Sequence, residues 1–153
     1  MEPSKQVITL DQSHRLKELG VVAPSMFYHT QFNTPSNPNI HEYGLPQNQM
    51  KWHIFYGRKS DITGADIFEE FAAYSVAELG AMLPEKIISK GREYFLQMDK
   101  YKGWQASYTK ALAQQNLIIS EHVLYMAECL ADLLIKLLET NLLTAHDCNK
   151  SIQ

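Results

Sequence analysis

Residues 121–140 read EHVLYMAECLADLLIKLLET, and this stretch decides the fold. At about 100° per residue, its charged side chains and one tyrosine fall within about 80° of one another on a helical wheel. They are Glu121, Tyr125, Glu128, Asp132, Lys136 and Glu139. Apolar side chains fill an arc of about 200°, whereas a surface helix needs an apolar stripe of only about 100°. The pattern predicts a long C-terminal amphipathic helix whose apolar side is wider than one sheet covers.

The part of this apolar arc that one sheet does not cover must contact a second element, either in this chain or in another subunit. Leu124 and Ile135 lie at its border, next to Tyr125 and Lys136. One hypothesis is that these four residues contact a protein partner or form a homodimer, because an apolar patch rimmed by charge is typical of interaction surfaces. The other hypothesis is that a helix at 75–83 covers this side and leaves a monomer.

Two segments ahead of the helix predict a β-hairpin. Residues 92–99 and 103–110 alternate between apolar and polar side chains on either side of a short turn, as half-buried strands do. Tyr94, Trp104 and Tyr108 share a face with aliphatic neighbours. We therefore expect these three aromatic side chains in the core, against the helix.

The remaining elements set the fold class. Residues 25–32 and 51–56 have the composition and alternation of strands, and apolar spacing at 66–74 favours a short helix. The predicted fold is α+β, with an antiparallel sheet of about four strands packed against the long C-terminal helix and with short additional helices.

Two capping boxes mark the start of short helices. Thr9 is followed three residues later by Gln12, and Ser75 by Glu78. In this arrangement each side chain bonds the backbone N–H of the other residue, which satisfies amides that a helix start leaves without a partner. The first helix is expected to end at Gly20.

Loops and ends complete the organisation. Residues 33–49 are rich in Pro, Gly and Asn and predict a long loop of undetermined role, and residues 144–153 predict a flexible tail. With 153 residues the chain is expected to be a single domain with an ordered core at about 9–143.

Composition narrows the function class. Hydrophobic residues make up 45% of the chain and charged residues 20%, which is typical of globular domains. The net charge of −3 gives no general attraction to nucleic acid. We expect no export signal and no membrane span, and two cysteines without C-x-x-C spacing fit a reducing cytoplasm.

The sequence contains no convincing motif for catalysis or metal binding. No two of the six histidines are four residues apart, and a G-x-S-x-G motif is absent. His146, Asp147 and Cys148 could offer metal ligands only weakly, because a tail cannot hold them in place. Cys129, at the margin of the polar face of the helix, is expected to be an inert small hydrophobic residue. An acidic cluster is interpreted as a solvated face; it comprises Asp61, Asp66, Glu69 and Glu70. The prediction is a non-enzymatic protein with no cofactor and no metal.

The hairpin at 92–110 supports an alternative function. It carries positive charge beside aromatic side chains, the combination on which nucleic-acid bases stack. The candidate nucleic-acid contacts are Arg92, Lys100, Tyr101, Lys102 and Lys110.

Several segments in this order resemble a family. They are LKELG at 16–20, an aromatic strand at 26–28, SVAELGAMLP at 75–84, YFLQMDKYKGWQASY at 94–108 and AECLADLLIKLLE at 127–139. The chain resembles, over about 10–143, small phage- and mobile-element-encoded bacterial proteins of unknown function. The resemblance implies an accessory protein that acts through protein contacts, and no catalytic residue is carried over. Ser75 stands where proline is common, which affects a helix cap.

Overall fold

Two antiparallel sheets and four α-helices make up the part of the chain described by the computed structural model, residues 2–32, 51–61, 67–110 and 115–152. The fold is therefore α+β. The elements are α1 (Leu10–Glu18), β1 (Phe27–Phe32), β2 (His53–Tyr56), β3 (Ile67–Ala72), α2 (Val76–Met82), β4 (Lys86–Ser89), β5 (Arg92–Lys100), β6 (Trp104–Lys110), β7 (Gln115–Ile119), α3 (Met126–Glu139) and α4 (Ala145–Ser151).

The predicted hairpin is confirmed as the centre of a four-stranded sheet with strand order β4-β5-β6-β7. Leu96 lies opposite Tyr108, and Met98 lies opposite Ala106. One face of this sheet packs on α3, and Tyr94, Tyr108 and Ala106 are buried there. Trp104, which the sequence also places in the core, is only half-buried.

The C-terminal helix is shorter than predicted. α3 has 14 residues and begins at Met126, because the preceding segment uses its backbone hydrogen bonds elsewhere. Trp104 N–H donates to Val123 O at 2.6 Å, and Val123 N–H donates to Trp104 O at 3.0 Å. The backbone of residue 123 is therefore extended alongside β6 and cannot belong to a helix.

The apolar side of α3 is covered within the chain. The helix contacts α1, α2, β6 and β7. Its buried residues are Ala127, Cys129, Leu130, Ala131, Leu133, Leu134, Leu137 and Leu138. A helix surrounded by four elements needs an apolar arc much wider than one sheet would require. Packing against α2 is the alternative that the sequence left open for this side.

The single sheet of the sequence prediction is wrong, because a second sheet of three strands has the order β2-β1-β3. The segment at 66–74 was expected to contain a short helix, yet Ile67–Ala72 forms β3. Its backbone pairs antiparallel with β1, where His29 lies opposite Phe71 and Thr30 opposite Glu70. Pairing with a distant strand overrides the helical spacing of its apolar residues.

Both capping boxes are confirmed. Gln12 N–H donates to Thr9 Oγ1 at 3.2 Å, and Thr9 N–H donates to Gln12 Oε1 at 3.2 Å. Ser75 N–H donates to Glu78 Oε2 at 2.7 Å, and Glu78 N–H returns the bond to Ser75 Oγ at 3.4 Å. These bonds fix the first residues of α1 and α2.

The segment expected to be a flexible tail contains α4, which is capped by Thr144. Cys148 is fully buried. Asn149 Oδ1 accepts hydrogen bonds from Val22 N–H at 2.8 Å and Ala23 N–H at 3.0 Å, and its amide group donates to Gly20 O at 3.0 Å. α4 is thus fastened to the segment that follows α1. The predicted loop at 33–49 lies outside the described residues.

Candidate functional site

An apolar groove of about 520 Å³ lies where the start of the chain, the first turn of α2, the first residue of β6 and the first turn of α3 meet. Its volume falls in the range of about 300–1,000 Å³ that is typical of ligand pockets. The lining residues are Lys5, Gln6, Ser75, Val76, Ala77, Trp104, Leu124, Tyr125 and Met126. We call this site the Trp104 groove.

One wall of the Trp104 groove is built by the N-terminal segment and α2. Val7 pairs with Ser75 in an isolated antiparallel bridge, and Ile8 N–H donates to Tyr74 O at 3.1 Å. Val7 and Ile8 are buried, so Lys5 and Gln6 are held beside the start of α2. The same helix start presents Val76 and Ala77 to the groove.

The opposite wall depends on the bridge between Trp104 and Val123. Gly103 has φ +153°, and a Cβ at this position would lie 2.8 Å from Val123 O. Only glycine allows the chain to enter β6 this close to residue 123. The bridge directs the next residues, Leu124 to Met126, along the groove, and Leu124 remains 66% exposed.

Two lysines lie at or near the groove. Lys5 lies on its rim in an exposed ion pair with Glu2 at 3.3 Å, and Lys100 Nζ lies 5.1 Å from the centroid of the Trp104 ring. Tyr125, the N-cap residue of α3, makes no side-chain capping hydrogen bond. The N-terminal end of this helix carries partial positive charge. The site therefore combines apolar walls with partial positive charge at the N-terminal end of α3.

The structure divides the four protein-contact residues proposed from the sequence. Leu124 and Tyr125 line the Trp104 groove, whereas Ile135 and Lys136 do not. Ile135 is half-buried in the middle of α3. Lys136 Nζ donates to Ile119 O at 3.0 Å and pairs with Asp132 at 3.0 Å, so it fastens α3 to the end of β7. The four residues were expected to form one contact patch at the border of the helix. In the structure, Leu124 and Tyr125 are at the groove, and Ile135 and Lys136 lie elsewhere on α3.

The candidate nucleic-acid contacts also separate. Lys100, Tyr101 and Lys102 lie together at one end of the hairpin, where Tyr101 is 74% exposed. Arg92 and Lys110 lie at its other end, and the nine residues of β5 span roughly 27 Å.

The outward face of the four-stranded sheet is mainly polar and carries little positive charge. A shallow cavity of about 320 Å³ on this face is lined by polar side chains and one isoleucine. They are Gln97, Asp99, Gln105, Ser107, Thr109, Asn116 and Ile119. The basic residues of the hairpin lie at the ends of this surface and not on it.

The two thiols are buried. Cys129 Sγ lies 3.2 Å from Ser120 Oγ, and burial raises the pKa of this thiol. Burial likewise raises the pKa of Cys148 to about 11. A high pKa leaves little nucleophilic thiolate at neutral pH. His146 and Asp147 are exposed while Cys148 faces the core, so these three neighbours do not converge.

Several lining residues of the Trp104 groove could not be predicted from the sequence. The alternation of the hairpin places Trp104 on the inward face, and the wheel places Met126 on the apolar arc, but both observations predict burial. Lys5 and Gln6 join the site through the bridge between Val7 and Ser75, which connects residues far apart in sequence. On the side of the groove formed by the N-terminal segment and α2, the capping box at Ser75 was the only sequence signal.

Comparison with protein-family models, curated proteins and solved structures finds no match to this chain. Across the described ranges, no three His, Cys, Asp or Glu side chains are arranged to hold a metal ion. In the same ranges, no helix has the length and apolar composition needed to cross a bilayer.

Proposed function

We propose that this protein is a non-enzymatic binding protein whose Trp104 groove holds a short segment of a partner protein. The segment presents a large apolar side chain to the groove and a carboxylate or backbone acceptor to its edge. On the resemblance of several sequence segments, the protein acts as an accessory factor of a phage or mobile element, in the reducing cytoplasm.

The observation that carries this proposal is the concave surface formed by Trp104, Leu124 and Met126. Leu124 is 66% exposed although it stands between Val123, which is bonded to β6, and the start of α3. Tryptophan and methionine are enriched at protein interfaces, and anchor side chains of a partner fill pockets near the interface centre. An exposed leucine within such a pocket adds apolar surface that a partner can bury.

The charge around the groove selects the partner's chemistry. Lys5 lines the groove, Lys100 Nζ lies 5.1 Å from the centroid of the Trp104 ring, and the N-terminus of α3 adds partial positive charge at Tyr125. A segment with Asp or Glu beside its apolar anchor complements this edge. A strongly basic segment would be repelled, which distinguishes this site from an unspecific apolar surface.

A selection from a displayed peptide library tests the proposal. We expect enriched peptides to share a large apolar residue next to an acidic one, and their binding to weaken at least about tenfold in Leu124→Glu. Ile88→Glu is the matched control, since Ile88 lies on β4 outside the groove and is 65% exposed. Peptides that bind the wild type and both variants equally would refute the groove as the site.

The alternative occupant of this groove is a second copy of the chain. Sedimentation of the wild type and of Leu124→Glu across a wide concentration range separates the two. A wild type that dimerises, together with a folded monomeric variant, would replace the partner segment by a second copy of the chain. A monomeric wild type agrees with the partner proposal.

A further inference from the structure

A second, smaller cleft lies between α1 and β3, and its lining residues are distinct from those of the Trp104 groove. Its volume is about 80 Å³, several times the roughly 10–15 Å³ that one water molecule needs. Ser13 and Lys17 of α1, Arg58 after β2, and Glu70 and Phe71 of β3 are among its lining residues. The cleft therefore has room for a molecule of a few non-hydrogen atoms.

Ser13 is the unusual residue of this cleft. The residue is 3% exposed, and in the described part of the chain its Oγ is the one buried side-chain nitrogen or oxygen atom without a hydrogen-bond partner. A serine inside a helix often bonds the carbonyl four residues earlier, and this one does not. A buried hydroxyl left without a partner destabilises the protein by about 1–3 kcal/mol, so such an atom indicates a ligand or an ordered water.

Two cations line the same cleft. Lys17 lies one helical turn after Ser13 on the same side of α1, and its Nζ is 4.7 Å from the centroid of the Phe71 ring. The neighbouring Arg15 instead forms exposed ion pairs with Glu18 and Glu139. Arg58 stacks its guanidinium 5.3 Å from the centroid of the Tyr28 ring. These ring contacts orient both cations without neutralising them.

The one carboxylate in the cleft already has its hydrogen bonds. Glu70 Oε2 accepts from Lys59 N–H at 2.7 Å and from Thr30 Oγ1 at 3.0 Å. Its Oε1 accepts from the Ser60 hydroxyl at 2.7 Å, and Arg58 Nε is 3.8 Å from this oxygen. The side chain of Glu70 is only 7% exposed. With two cations against one carboxylate whose oxygens are occupied, the cleft is left with a net positive charge.

We infer that this cleft binds a small oxyanion, either a phosphate or a carboxylate group. The Ser13 hydroxyl donates one hydrogen bond, Lys17 supplies a point charge, and the guanidinium of Arg58 supplies paired N–H donors that match an oxyanion. The volume admits the charged group itself. The inference does not depend on the function proposed for the Trp104 groove, since no residue lines both sites.

Titration with inorganic phosphate, followed by amide NMR at constant ionic strength, tests the site. We expect saturable shifts of the amides of Ser13, Val22 and Phe71 in the wild type. Lys17→Gln and Arg58→Gln should each weaken binding by about tenfold. Lys90→Gln removes an exposed charge in the turn between β4 and β5 and should leave the affinity unchanged. A parallel titration with acetate decides which oxyanion the cleft prefers.

Ser13→Ala separates a ligand site from a packing defect. It removes the buried hydroxyl that has no partner, so we expect no loss of stability in phosphate-free buffer and weaker phosphate binding. Shifts that grow linearly with phosphate and acetate without saturating would overturn the inference. Equal affinities of the wild type and Lys17→Gln for phosphate and acetate would overturn it as well.

Discussion

The two sheets of this protein differ in where their polar side chains lie. In the four-stranded sheet one face packs on α3 and the other carries polar side chains toward solvent, as antiparallel sheets commonly do. In the three-stranded sheet the central strand β1 is buried over four successive residues, of which His29, Thr30 and Gln31 are polar. The first sheet is specified by alternation, whereas the second depends on a partner for each buried polar group.

These partners come from distant parts of the chain. The ring N–H of His29 donates to Ile8 O at 2.9 Å, and Thr30 Oγ1 donates to Glu70 Oε2 at 3.0 Å. A buried polar group that loses its partner destabilises the fold by about 1–3 kcal/mol. Removing a single polar group from the three-stranded sheet should therefore lower the free energy of unfolding. The same change on the outward face of the four-stranded sheet should have little effect.

The largest effect is expected where α3 packs on the four-stranded sheet. Leu134 is fully buried, so Leu134→Ala should lower the free energy of unfolding by about 2–5 kcal/mol through lost apolar transfer and the cavity left behind. Leu124→Ala is the control, because its side chain is largely exposed, and should change stability by at most about 0.5 kcal/mol. Urea unfolding measures both. A loss below about 0.5 kcal/mol in Leu134→Ala would show that this face is not the core.

The same substitution in each sheet tests their difference directly. Thr30→Val in β1 removes a fully buried hydroxyl bonded to a carboxylate and should lower the free energy of unfolding by about 1.5–3 kcal/mol. Thr109→Val in β6 removes a hydroxyl on the outward face and should change it by at most about 0.5 kcal/mol. Equal losses in chemical unfolding would erase the distinction between the sheets.

A pair of glycine substitutions should have opposite signs. Gly103→Ala adds a Cβ 2.8 Å from Val123 O at φ +153°, so it should lower stability by about 1–3 kcal/mol. Gly80 lies in α2, where an added Cβ would have open space, and Gly80→Ala should raise stability by about 0.4–1 kcal/mol. Thermal unfolding compares the two variants. A neutral Gly103→Ala would show that the bridge between Trp104 and Val123 does not need glycine.

The smallest effect concerns pH. Burial lowers the pKa of His29 below its ordinary value, against a smaller opposing effect of the hydrogen bond to Ile8. The unfolded chain therefore binds a proton more readily than the fold. Stability should fall as the pH drops below about 6.5 toward the lowered pKa, with a slope of at most about 1.4 kcal/mol per pH unit.

His29→Gln keeps a side-chain N–H donor and removes the titration, so its stability should depend less on pH over this window. Unfolding measured at several pH values checks this. Identical pH profiles for the wild type and the variant would show that His29 does not stay neutral in the fold.

The sequence predicts the regions where one local rule is enough. Capping boxes predict the starts of α1 and α2, and alternation predicts the hairpin of β5 and β6, because both depend on neighbouring residues. The strand β3 was expected to be a helix because its apolar residues have helical spacing. Its true state depends on pairing with β1 and on the bond between Thr30 and Glu70, which no local pattern contains.

The same reason limits prediction of the sites. The sequence points to Leu124 and Tyr125, but the groove around them needs Lys5, Val76 and Trp104 to meet through backbone bridges. The end of the chain was expected to be flexible, because the last residues of a domain are often poorly ordered. Asn149 gives it three hydrogen bonds to the segment after α1, a contact visible only in three dimensions.

The central claim, that the Trp104 groove binds a partner segment, is tested most directly by the fluorescence of Trp104. The chain has two tryptophans, and Trp52→Phe keeps an aromatic ring next to Phe71 while leaving Trp104 as the only reporter. Titration with a selected peptide should shift Trp104 emission to shorter wavelength and saturate, with the effect lost in Leu124→Glu and kept in Ile88→Glu. Peptide binding that leaves Trp104 emission unchanged would contradict the claim.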